Sequence, residues 1–287
     1  MTGEQILQVN GSELCAETFG DPGDPAILLI GGAAASMDYW EPDFCERLAA
    51  GGRYVIRYDH RDTGRSASSP AGAPAYTGND LVTDPIGLLD ALGIDRAHVV
   101  GLSMGGGLAQ DLAAGYADRV ATITLMSTSP AGKRSSDEPL PPPADRVHAL
   151  FADPAPEPDW SDRAAVIEYL LDDLRPYAGT IPFDEAGMRA VVTRMVDRTT
   201  DIAASQKNHW ILADSDDAEP IRMADITAPT LVLHGTEDPL FPLPHGEALA
   251  REIPGATLVV LDGVGHEYPP RAVWDTVVPA ILDHTRP

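Results

Sequence analysis

Short apolar runs and helical patterns alternate along this chain in a regular beat. Ala26–Ile30 is apolar throughout and runs into Gly31-Gly32, as expected of a strand buried on both faces. Tyr54–Tyr58, residues 97–100, Val120–Met126, and residues 230–234 and 256–261 read the same way. Helical spacing falls between them, at residues 41–50 closed by Gly51-Gly52, at 106–116, at Pro244–Glu252 and at 272–284. A further helix starts from a cap at Asn79, bends at Pro85 and ends near Leu92 before Gly93. Residues 13–19 alternate in the manner of an edge strand. This order predicts an α/β fold, with a mostly parallel sheet covered on both faces by helices.

The beat stops between residues 131 and 227. Residues 131–160 hold seven prolines, four of them within 139–143, which predicts an extended, irregular entry. Residues 164–174, 185–199 and 202–212 then carry helical spacing, and no strand is expected among them. The expected organisation is a core domain of residues 1–130 and 228–287, with residues 131–227 inserted between late strands as a helical cap, or lid.

Composition narrows the function. The 287 residues carry a formal charge of −24, and 44% are hydrophobic, enough for a full core. Such acidity argues against nucleic-acid or anionic-membrane partners, which need a basic face. No apolar stretch has the length of a membrane span, and the first residues lack the pattern of a signal peptide, so a cytoplasmic location is expected. Cys15 and Cys45 suggest buried, reduced thiols rather than a disulfide framework. No pair of histidines has metal-ligand spacing, and neither a metal nor a cofactor is expected.

The densest chemical signal is Gly101-Leu102-Ser103-Met104-Gly105, between an expected strand and an expected helix. A strand-to-helix turn of this kind raises a serine hydroxyl above the sheet, and its glycines allow backbones to approach closely. A serine alcohol needs a base to take its proton, and the base needs an orienting acid. Both are expected later in the chain, on loops after late strands. Residues 230–234 lead to Gly235-Thr236-Glu237-Asp238-Pro239, and 256–261 lead to Asp262-Gly263-Val264-Gly265-His266. Asp238 is therefore the expected carboxylate, with Glu237 as its rival, and His266 the expected general base. Of the other histidines, His98 and His234 fall within strands, and His148, His245 and His284 within loops or helices. His60 follows an early strand, and His209 lies in the insertion, where it could line a cavity. The oxyanion donors are expected to be the N–H groups of Met104, after the serine, and of Ala33, in the loop after residues 26–30. Asp59 and Arg61, in Tyr58-Asp59-His60-Arg61-Asp62-Thr63-Gly64-Arg65-Ser66, are expected to hold that loop through hydrogen bonds and an ion pair. Trp160, Tyr169, Met195 and Trp210 could line an apolar pocket, although their spacing suits the interior of the cap better.

Taken together, the strand before Gly31-Gly32, Asp59-x-Arg61-x-x-Gly64-x-Ser66, Gly101-x-Ser103-x-Gly105, Gly235-x-x-Asp238 and Gly265-His266 resemble the α/β-hydrolase superfamily over nearly the whole chain. Residues 58–66, 98–105 and Pro244-His245-Gly246 are similar to the aclacinomycin methylesterases of actinomycete anthracycline pathways. The resemblance implies a serine carboxylic-ester hydrolase, cleaving a methyl ester on a polyketide, with a small-molecule substrate. Where many superfamily members carry His-Gly, this chain has Gly31-Gly32. Lactonase, aminopeptidase, C–C hydrolase and perhydrolase chemistry would use the same three residues. A catalytically silent ligand receptor on the same scaffold is an alternative of another class.

Overall fold

The apolar runs form the strands expected of them. The computed structural model describes residues 2–212 and 220–286, with β1 (Thr2–Val9), β2 (Ser12–Phe19), β3 (Ala26–Ile30), β4 (Tyr54–Tyr58), β5 (Ala97–Leu102), β6 (Val120–Met126), β7 (Thr230–Gly235) and β8 (Thr257–Leu261). They lie side by side in the order β1-β2-β4-β3-β5-β6-β7-β8. The β1–β2 and β2–β4 pairs are antiparallel, and every later pair is parallel. Parallel neighbours need crossovers, which the helices α1 (Pro42–Ala50), α2 (Gly78–Ala91), α3 (Met104–Gly115) and α8 (Pro244–Glu252) supply, while α9 (Trp274–His284) follows the last strand and packs back on the sheet.

Alternate residues of each strand face opposite sides, so one run feeds two cores. In β3, Leu28 and Ile30 join Val99, Leu108, Leu112 and Leu249 on one face, under α2, α3 and α8. Ile27 and Leu29 join Phe44, Leu48, Val277 and Ile281 on the other, under α1 and α9. This double burial explains why the central strands read as continuous apolar runs.

Two expectations about the first half change. The strand at Ser12–Phe19 is not the edge, because β1 pairs along it and buries every residue from Leu14 to Phe19. The signal for that pairing is Asn10-Gly11, whose φ angles of 49° and 75° make the tight turn of a hairpin. The cap of α2 is Thr77, not Asn79. Thr77 and Asp80 satisfy each other's backbone donors in a capping box, and Pro85 sits inside the helix.

Between β6 and β7 the chain leaves the sheet and forms α4 (Asp145–Ala152), α5 (Arg163–Leu174), α6 (Glu185–Arg198) and α7 (Ile202–Lys207), then a 3-10 turn at Asn208–Trp210. The stretch read as wholly irregular thus contains α4. The Pro139–Pro143 run before it is pinned by His245, whose Nε2 lies 2.9 Å from the Pro141 carbonyl. Helices α5 and α6 have an apolar interior of their own, with Val166, Leu170, Leu171, Val192 and Met195 buried. Trp160 and Tyr169 pack against it and meet each other edge to face at 5.8 Å, so with Met195 they build the segment itself, whereas Trp210 is 64% exposed.

The 59–66 motif ties this segment to the sheet. Asp59 accepts hydrogen bonds from the N–H groups of Met37 (2.8 Å) and Arg65 (3.0 Å), and its carboxylate fills the space that a side chain at Gly64 would need. Its ion pair is with Arg198 of α6 at 2.8 Å, rather than with Arg61. Arg61 pairs instead with Asp84 of α2 at 2.7 Å. Cys15 and Cys45 are buried and unbridged, and burial pushes both thiols up to about 12. No helix among the described residues is long and apolar enough to cross a membrane.

Candidate active site

The turn at Ser103 follows from close backbone packing. A Cβ at Gly101 would lie 2.1 Å from the Gly105 carbonyl oxygen, and one at Gly105 would lie 2.4 Å from the Ile30 carbonyl oxygen. Only glycine fits either place, so β5, α3 and the end of β3 can meet there. Ser103 itself has φ 54°, a conformation rare for a non-glycine residue and costing about 1–3 kcal/mol. The turn holds because the Ser103 N–H donates to the Met126 carbonyl at 3.0 Å and Thr128 Oγ1 donates to the Ser103 carbonyl at 2.9 Å. Helix α3 begins at Met104, two residues earlier than the periodicity suggests, because the amphipathic signal fades over Gly105, Gly106 and Gly107.

His266 arrives on the loop after β8. A Cβ at Gly265 would lie 2.2 Å from the Tyr177 carbonyl oxygen, so this glycine lets the inserted segment press onto the loop. The His266 N–H donates to that same carbonyl at 2.8 Å. The imidazole then stands with Nε2 3.0 Å from Ser103 Oγ and Nδ1 3.0 Å from Asp238 Oδ2. The rings of Phe241 and Tyr177 flank it at 5.4 and 6.2 Å.

Asp238 is buried in the turn after β7, and its Oδ1 accepts from the N–H groups of Leu240 (3.0 Å) and Phe241 (2.8 Å). Burial alone would raise its pKa. The His266 hydrogen bond and charge, with the Phe241 amide, outweigh burial and hold the carboxyl below its ordinary value. The rival Glu237 points into solvent. The structure thus brings Ser103, His266 and Asp238 together in one hydrogen-bonded chain.

The remaining histidines lie outside that chain. His98 meets Thr122 Oγ1 at 3.0 Å, His284 meets the Ile123 carbonyl at 3.1 Å, and His148 is exposed. His234 donates from Nε2 to the Phe241 carbonyl at 2.7 Å, which supports the Asp238 turn from below. His60 donates from Nε2 to the Gly31 carbonyl at 3.2 Å, and burial pushes its pKa down to about 3. Its unfolded form takes up a proton near pH 6.5 and its folded form does not, so its contribution to stability is lost as pH falls. In His60→Gln, the glutamine amide can keep the Gly31 contact without titrating. The stability advantage of wild type over this variant is expected to shrink by about 2 kcal/mol between pH 7.5 and 5, measured by urea unfolding at each pH.

Residues 31–35 lie against the serine, with the Cβ position of Gly32 3.6 Å from Ser103 Cβ. The Gly32 N–H donates to Tyr268 Oη at 2.9 Å, that of Ala34 to His209 Nδ1 at 2.9 Å, and that of Ala35 to the Gly32 carbonyl at 3.4 Å. The Ala33 N–H and the Met104 N–H have no protein acceptor among the described residues. Tyr268 also explains the glycine at 31, because a Cβ there would stand 2.9 Å from its hydroxyl. The sequence reading overlooked Tyr268 and the part of His209 in this loop, since neither falls in a motif. A cavity of about 170 Å³ is lined by Tyr39, Trp40, Phe183, Tyr268 and Trp274 among others, and Ser103 is not among its lining residues. No group of three or more His, Cys, Asp and Glu side chains among the described residues is arranged to hold a metal ion.

This sheet, with its antiparallel edge and its serine turn after β5, is that of an α/β hydrolase. The sequence profile of the alpha/beta hydrolase family matches residues 27–280, and the chain belongs to that family. Rhodomycin D methylesterase DauP of Streptomyces sp. (strain C5) is 33% identical to it over 299 aligned positions, covering 95% of each chain. Rhodomycin D methylesterase DnrP of Streptomyces peucetius is 32% identical, again covering 95% of each. Among solved structures, the enol-lactonase of Burkholderia xenovorans LB400 matches with a TM-score of 0.71 and 28% identity, covering 98% of this chain and 99% of that one.

Proposed function

We propose that the protein hydrolyses carboxylic esters by acyl transfer through Ser103, with His266 as base and then acid and Asp238 as its orienting carboxylate. The observation that carries this reading is the unbroken run of hydrogen bonds, 3.0 Å from Ser103 Oγ to His266 Nε2 and 3.0 Å from His266 Nδ1 to Asp238 Oδ2. An ionised Asp238 keeps the proton on Nδ1, so Nε2 is free to take the one from Ser103. The alkoxide oxygen bonds to the ester carbonyl carbon, and the carbonyl oxygen becomes an oxyanion held by the N–H groups of Ala33 and Met104. Collapse expels the alcohol, which leaves with the proton from Nε2. Water, losing its proton to the same nitrogen, then releases the acid and restores Ser103.

The two Streptomyces relatives are named as methylesterases, which favours a methyl ester of a large apolar, polyketide-like acid as the substrate. Hydrolysis would yield the free carboxylate and methanol. The chain is expected to react at Ser103 with a fluorophosphonate probe, detected by peptide mass, and to turn over short-chain aryl and methyl esters faster than lactones, carbamates or aminoacyl amides. Wild-type protein that neither labels nor hydrolyses any activated ester overturns the reading. A lactone or carbamate preferred over every ester would keep the serine chemistry and overturn the substrate.

A further inference from the structure

The oxyanion loop is held from outside the sheet. Its Ala34 has φ 60°, the left-handed conformation that disfavours a residue with a side chain by about 1–2 kcal/mol. Something must hold it there, and both polar backbone atoms of Ala34 are engaged by one stretch of the inserted segment. The Ala34 N–H donates to His209 Nδ1 at 2.9 Å. The Ala34 carbonyl accepts from Gln206 Nε2 at 3.3 Å and Ser205 Oγ at 3.4 Å.

The tautomer of His209 is fixed by its other side. Nε2 lies 2.9 Å from the Arg61 carbonyl, which can only accept, so Nε2 carries the hydrogen and Nδ1 is left as an acceptor. The ring is buried, with His60 edge-on at 5.8 Å and Tyr76 at 6.5 Å, so it cannot turn away without leaving two partly buried backbone groups unpaired. Burial also favours the neutral ring that this arrangement needs. If the acceptor is removed, the strained φ of Ala34 is no longer held, and the loop backbone can relax around it. The Ala33 N–H, one residue before, loses its fixed place when the loop shifts.

We propose that His209 is a positioning residue for the reaction, fixing through Ala34 the place where the Ala33 N–H meets the oxyanion. The proposal rests on the ester-hydrolase reading above. It makes the segment between β6 and β7 a determinant of the chemical step. The substrate ground state gains little from an aligned oxyanion donor, so the effect falls on kcat rather than KM.

Two conservative variants separate the two bonds of His209. In His209→Asn, Oδ1 falls near the place of Nδ1 and keeps an acceptor for Ala34, while the donor to Arg61 is lost. In His209→Gln, Nε2 falls near the place of the imidazole Nε2 and keeps the donor to Arg61, while the acceptor is lost. Each loses one buried hydrogen bond, so a purely structural role predicts similar losses of Tm and of activity in both. With an aryl ester as substrate, His209→Gln is expected to lower kcat about 10- to 100-fold with KM within about twofold. Its inhibition constant for a trifluoromethyl ketone, whose adduct carries the oxyanion, should weaken by a similar factor. His209→Asn should stay within about threefold of wild type in both measures.

Equal losses of kcat in the two variants, or a wild-type kcat in His209→Gln, overturn the proposal. Should His209→Gln fail to fold, Gln206→Leu carries the test. A several-fold fall in kcat at unchanged KM supports the proposal, and an unchanged kcat overturns it. Inactive wild-type protein would instead overturn the ester-hydrolase reading itself.

Discussion

Ser103→Ala is expected to lower kcat on an activated ester by about 10⁶-fold, and Asp238→Asn by about 10⁴-fold, with KM little changed in either. The first change removes the proposed nucleophile. The second keeps the shape of the site and reverses one hydrogen bond. Oδ1 of Asp238 accepts from the backbone amides of Leu240 and Phe241, so an asparagine there places its carbonyl oxygen on those donors. Its NH₂ group then takes the place of Oδ2 and faces His266 Nδ1, 3.0 Å away. Nδ1 must accept, the hydrogen moves to Nε2, and Nε2 can no longer take the proton of Ser103. Glu237→Gln, one residue away and exposed, should leave kcat unchanged. Steady-state kinetics on the purified variants give the answer, and a kcat within tenfold of wild type in Asp238→Asn would remove Asp238 from the mechanism.

The second large effect is on stability. Arg198 of α6 reaches Asp59 at 2.8 Å, Glu4 at 2.7 Å and also Asp38, while the Asp59 and Asp38 side chains are almost wholly buried. Arg194 gives Asp38 a second partner at 2.8 Å, but Arg198 is the guanidinium that reaches Asp59. Arg198→Met keeps much of the packing and leaves a buried carboxylate without its cation, which is expected to cost about 3–5 kcal/mol at pH 8. The cost should fall at lower pH. Burial already raises the pKa of Asp59 against the pull of Arg198, and without Arg198 it rises further, so protonation relieves the unpaired charge as pH drops. Urea unfolding at pH 8 and pH 5 tests both points. A loss below about 1 kcal/mol at pH 8 would mean that Arg198 is not what offsets the buried charge.

These two sites differ in how far the sequence reveals them. Ser103, Asp238 and His266 each stand at the end of an apolar run, and glycines or a proline mark each turn, so strand order and turn chemistry bring the three into view. Glu237 and Asp238 are separated by burial, which the Asp-Pro pair already favours. Arg198, His209 and Tyr268 carry no such mark. Arg198 looks like any charge near a helix C-terminus, and nothing local in the sequence connects it to Asp59, 139 positions away.

The sequence by itself determined the alternation of strands and helices, the interruption after residue 130 and the close-packed glycines of the serine turn. Each depends on periodicity or on backbone sterics within a few residues. Only the tertiary structure decided that Asp59 pairs with Arg198 rather than Arg61, and that Tyr268 and His209 take the amides on either side of Ala33. Those are contacts between distant parts of the chain. Their partners are chosen by the geometry of packing and by the cost of leaving a buried polar group unpaired, and neither leaves a local pattern in the sequence.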